Sequence, residues 1–138
     1  MDLTRGFQIA APEIYIPWYS DAAELERLLG GTTFTKVTAG YYTLNCEPLP
    51  GLRCLLGLHS HQTGRLTEIE FFRSSYADQK ASFDEFQQCF EAVFGAPTMK
   101  KEGSEGFPSF EWKLPGARIV HFVFDRFGPE EHMRIQRL

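Results

Sequence analysis

A Leu-Pro-Gly-x-Arg pattern occurs twice in the chain, at Leu49-Pro50-Gly51-Leu52-Arg53 and at Leu114-Pro115-Gly116-Ala117-Arg118. Proline presets the first central dihedral of a type II turn and glycine accepts the positive one that follows. Each copy therefore predicts a tight reversal between antiparallel strands. The copies start 65 residues apart, at positions 49 and 114, and the same interval separates Gly30 from Gly95, each closing an amphipathic segment. A turn and a helix end that share one offset predict a duplication within a single domain spanning 1–138, with pseudo-repeat halves of roughly 12–73 and 77–138.

Asp21, with Glu24 three residues on, gives the reciprocal capping pattern of a helix start. Leu25, Leu28 and Leu29 supply the apolar stripe, and Gly30-Gly31 end it. Ser82 and Glu85 repeat the capping pattern before Phe86, Phe90, Val93 and Phe94, which recur at helical intervals until Gly95 and Pro97. Period-two alternation predicts strands at 13–19, 52–59, 66–73, 109–114, 118–125 and 132–138. Residues 34–46, rich in Thr, Tyr and Val around Ala39-Gly40, read either as one long bulged strand or as a tight hairpin. Residues 98–106 read as a loop. The fold class that follows is α+β: an antiparallel β-sheet with two amphipathic helices on one face, built from two pseudo-repeated helix-strand-strand-strand units.

With 138 residues, 43% of them hydrophobic, the chain can bury a core without covalent staples. The formal net charge of -4 argues against a nucleic-acid partner, and the basic doublet Lys100-Lys101 sits in a Gly/Ser/Glu stretch that reads as solvated. Cys46, Cys54 and Cys89 are odd in number and lack paired metal-site spacing, so they read as reduced, buried small hydrophobes. No apolar run approaches the length of a membrane span or a signal segment, which predicts a cytoplasmic protein with no membrane partner.

Candidate chemistry is dispersed. His59-x-His61 puts two imidazoles near a hairpin tip, with Glu68 or Glu70 across the hairpin, but no ligand set has zinc spacing. The expectation is no metal and no cofactor. His121 lies in the apolar strand Ile119-Val120-His121-Phe122-Val123-Phe124, where it reads as a satisfied core histidine or as a base in a pocket. Trp18, Tyr15, Tyr19, Tyr41 and Tyr42 are candidates to line a sheet face opposite the helices. The densest ionisable group is 125–132, where Arg126 and Phe127 are expected anchors for a partner protein and Glu130 and Glu131 its electrostatic guides.

Paired strand-helix-strand-strand-strand modules, with a helix ending in a Leu-Gly step such as Leu29-Gly30, are similar to the glyoxalase and bleomycin-resistance architecture. That resemblance implies His, Gln or Glu metal ligands on the first and last strands of each module. The first strand here, Ile14-Tyr15-Ile16-Pro17-Trp18, offers none.

Two function classes follow. The first is a non-enzymatic interaction protein, such as an inhibitor, immunity-type or adaptor protein that binds another protein. The second is a small-molecule-binding protein or enzyme with a cleft between the halves, using His121, Glu68, Glu70 and Trp18. A filled interior favours the first, and a deep cleft with convergent His and Glu favours the second.

Overall fold

Both Pro-Gly steps turn the chain between antiparallel strands, with Gly51 at φ 82° and Gly116 at φ 78°, a region open to glycine at no steric cost. The structure, a computed structural model, describes residues 1–60 and 62–138. A first ribbon joins β1 (Gly6–Ile9) to β2 (Ile14–Pro17), and α1 (Ala22–Leu29) follows. Four strands come next, β3 (Phe34–Thr38), β4 (Tyr41–Leu49), β5 (Leu52–His59) and β6 (Glu68–Phe72). After α2 (Gln79–Phe94) come β7 (Met99–Lys101), β8 (Ser109–Leu114), β9 (Ala117–Asp125) and β10 (Pro129–Arg137). The eight strands β3 to β10 form one antiparallel sheet in the order β3-β4-β5-β6-β10-β9-β8-β7. The α+β class with antiparallel sheets and two helices is therefore established.

Several local expectations change. Of the two readings left open for residues 34–46 the chain adopts the hairpin, because Gly40 at φ 78° turns it between β3 and β4. Within 98–106, Met99–Lys101 pairs with β8 as a short edge strand. The second helix is capped four residues before the Ser82 cap expected from sequence. Asp78 is its N-cap, accepting the Ala81 N–H at 3.0 Å, and Ser82 lies inside the helix. Asp caps as well as Ser does, and the Ser82 hydroxyl has another partner. The first helix starts as expected, with Asp21 accepting the Glu24 N–H at 2.9 Å.

Strand alternation divides the sheet into two faces. Tyr42, Leu44 and Cys46 of β4, Cys54, Leu56 and Leu58 of β5, and Ile69 and Phe71 of β6 point inward. They share one core with Trp112, Ile119, Met133 and Ile135 from the other half of the sheet. Phe86 and Phe90 of α2 and Leu25 and Leu29 of α1 complete it, all fully buried. Phe90 meets Phe71 edge-on at 5.0 Å between ring centroids, and Phe7 of the ribbon meets the same ring at 5.6 Å. The three cysteines are free thiols; burial pushes Cys46 up to about 11, so it stays protonated.

Candidate functional site

Register fixes which side chains meet on each face. On the inner face of the β9–β10 pair, His121 stands opposite Met133 and Glu131 opposite Val123, which makes His121 and Glu131 diagonal neighbours within reach of each other. His121 Nε2 lies 2.6 Å from Glu131 Oε2, and both side chains are sealed from solvent. The other Glu131 oxygen accepts the Ser82 hydroxyl at 2.9 Å and the Gln79 amide at 3.2 Å. Ser82 in turn accepts from Arg73 Nε at 2.9 Å, and Arg73 also pairs with Glu85. On the far side of the imidazole, Nδ1 lies 2.8 Å from Gln87 Oε1, while the Gln87 amide nitrogen donates to Glu91. The Gln87 carbonyl oxygen can only accept, so Nδ1–H is the donor to it. Phe83 stacks on the imidazole at 3.9 Å. Burial lowers the His121 pKa, against the upward pull of Glu131's hydrogen bond and charge.

This is the contact geometry of a general-base dyad, and both of its side chains are fully buried. The network joins the first turns of α2 to β9 and β10, and every polar atom of the dyad has a partner inside the protein. The expectation that Glu131 guides a partner from the surface is therefore corrected. It is 6% exposed, because the pleat turns it inward while its neighbour Glu130 points out.

The outer face carries a second polar group, organised in cross-strand rows. One row runs Met99, Glu111, Val120, Arg134, Glu70, Gly57, Thr43, Thr35 across all eight strands. The next runs Lys113, Arg118, Gln136, Glu68, His59, Tyr41. Arg134 bridges the rows, donating to Glu70 at 3.1 Å and to Glu68 at 3.4 Å. His59 meets the other Glu70 oxygen at 3.2 Å beneath the stacked ring of Tyr41. Burial alone would raise the Glu70 pKa, but the His59 hydrogen bond and the Arg134 charge outweigh it and hold the carboxyl below its usual range. Arg118 pairs with Glu111 at 3.0 Å.

The residues expected to share a pocket do not converge. Glu68 and Glu70 lie on the outer face, His121 lies on the inner face, and Trp18 is buried by the ribbon with its indole N–H on the Leu3 carbonyl at 2.8 Å. Of the five aromatics expected on one sheet face, Tyr41 alone stands there. Tyr42 points inward, and Tyr15 and Tyr19 are exposed near the ribbon. His61 lies outside the described residues, and among those described no group of three His, Cys, Asp or Glu is placed to hold a metal ion. No helix among them is long and apolar enough to cross a membrane.

A third element is the β9–β10 tip, where the Arg126 N–H bonds the Gly128 carbonyl and the Gly128 N–H bonds Asp125. Phe127 projects from it 94% exposed, Phe124 is half exposed beside it, and Arg126 and Glu130 frame them. Sequence singled out this tip. It could not foresee the Glu131 network, whose members come from 79 to 131, although an inward-facing His beside an inward-facing Glu on paired strands was a signal available once register was known. No protein family, curated protein or solved structure matches the chain.

Proposed function

We propose that the protein is a non-enzymatic binding module that engages another protein through the β9–β10 tip, with Phe127 and Arg126 as anchors. The observation that carries this reading is the Phe127 ring, an aromatic side chain that the fold itself leaves in water. The hairpin behind it is paired without interruption from Pro129 opposite Asp125 to Arg137 opposite Ala117, so little freedom is lost when the tip is gripped. Sealing of the His121–Glu131 dyad supports a role without catalysis. Glu130 and Asp125, both exposed, supply the outward acidic charge.

The test places a photo-crosslinking phenylalanine analogue at position 127 in cells, with the same analogue at Tyr15 as an exposed control. The expected result is a discrete adduct from position 127 that is lost with Arg126→Ala and absent from position 15. No adduct, or identical adducts from both positions, refutes the reading.

We also infer that the halves 12–73 and 77–138 are copies with both helices against the inner face. In support, each run of four strands follows a helix, and the two runs meet in mirrored order at β6–β10.

A further inference from the structure

Independently of the tip's partner, the outer face holds a cleft of about 490 Å³ where the end of β6, the start of β10 and the 73–76 segment meet. Three hydrogen-bond donors line it. The Tyr76 hydroxyl oxygen accepts the Arg73 N–H at 3.1 Å, which leaves its own O–H to donate. His132 Nδ1 lies 3.2 Å from Arg134 Nη2; guanidinium nitrogens only donate, so the imidazole proton resides on Nε2. The carboxylate facing that Nε2, Glu130, is 3.8 Å away, too far for a hydrogen bond. The third donor is the Arg126 guanidinium. Among the described residues none of the three donors has an acceptor within hydrogen-bond distance.

The acidic groups around the cleft are largely committed elsewhere. Glu131 lines the wall but its carboxylate is bonded to His121, and Glu70 is held between His59 and Arg134. Only Glu130, on the rim, remains to oppose an incoming anion. We propose that this cleft binds a small molecule through an oxyanion, a carboxylate or a phosphate, received by Arg126, Tyr76 and His132. Acceptor oxygens are what three donors lining one cleft without acceptors recognise, and the volume falls in the range of small-ligand sites. Burial raises Tyr76 to about 12, so its hydroxyl keeps the proton it donates across the physiological range. Burial and the Arg134 charge lower His132, which keeps the imidazole neutral and its Nε2–H in place at neutral pH.

The experiment titrates benzoate and, separately, inorganic phosphate into isotopically labelled protein while following amide and imidazole chemical shifts. Saturable shifts centred on Phe72, Tyr76 and His132 are expected, with an affinity of roughly millimolar order for such minimal probes. Saturation by benzoate assigns the site to carboxylates, and saturation by phosphate assigns it to phosphates. Arg126→Ala and Tyr76→Phe should each weaken binding at least about threefold, and Glu130→Gln should tighten it. Phe127→Ala, whose ring lies outside the cleft, should bind as the wild type does, so loss of the tip's crosslink and loss of the anion site remain separable. Shifts that do not saturate with either probe, or that are unchanged in both Arg126→Ala and Tyr76→Phe, overturn the proposal.

Discussion

Replacing Glu131 by leucine removes the acceptor on which the buried network converges, and the structure sets the size of the effect. The His121 bond at 2.6 Å is lost, a charge-assisted contact worth about 1.5–3 kcal/mol. The Ser82 hydroxyl, buried at 7% exposure, keeps no acceptor, and an orphaned buried donor costs about 1–3 kcal/mol. Gln79 is partly exposed, so water replaces its bond at little cost. The expected loss is about 3–5 kcal/mol out of a total stability of about 5–15 kcal/mol. Glu131→Gln preserves shape. Its amide can donate to Nε2 while its carbonyl accepts from Ser82, so the loss should stay below about 1.5 kcal/mol. Urea unfolding followed by the fluorescence of the buried Trp18 and Trp112 reports both variants, with a lower midpoint for Glu131→Leu and an unchanged slope. A melting-temperature drop of roughly 10–20 °C should accompany it. A Glu131→Leu variant within about 1 kcal/mol of wild type would refute the argument, as would equal losses from Leu and Gln.

Acidification should destabilise the fold in two stages, read from unfolding midpoints across pH. His132 is held below its ordinary 6.5, so its contribution is complete above that value and falls as the unfolded chain takes up the proton first; Glu70, held below 4.5, adds a further loss at lower pH. Phe90→Ala removes a ring that meets Phe71, Phe94 and Trp112 and should cost about 3–5 kcal/mol by chemical denaturation. Gly57→Ala would set a Cβ 3.1 Å from the Tyr41 ring and 3.3 Å from the Phe72 ring, and a loss of about 1–3 kcal/mol is expected from the same assay. Asp78→Ala should cost about 1 kcal/mol through the lost cap, measured by thermal unfolding with Lys80→Ala as a surface reference.

What sequence made legible is what depends on neighbours in the chain. Leu-Pro-Gly predicts a turn because the dihedrals of two adjacent residues decide it, and both copies do reverse the strands. Phe86 and Phe90 were readable as core because helical spacing places them on one stripe, and both are fully buried. The start of the same helix is not legible locally. Asp78 and Ser82 are both competent caps, and what decides between them is Glu131, 49 residues beyond Ser82 along the chain. Residue type alone places Trp18 with Glu68 and Glu70, whereas Leu3, fifteen residues away, claims its indole. The sheet order, with β6 against β10 at its centre, left no local mark either.

The Glu130-Glu131 doublet shows how a strand assigns opposite tasks to adjacent identical residues. Read along the chain it is one acidic patch, but consecutive strand residues point to opposite faces, so the pleat sends one carboxylate to the rim of the outer cleft and the other into the core. Glu131 can be buried because His121, Ser82 and Gln79 all reach it. Glu130 has no comparable set and stays in water, with His132 at 3.8 Å. A slip of β10 by one residue against β9 would exchange the two and leave the buried His121 without its carboxylate, so the buried bond also acts against that misregister. The same register presents Arg126 and Phe127 at the tip and His132 in the cleft. The buried network thus fixes the pairing that sets the outward-facing groups in place.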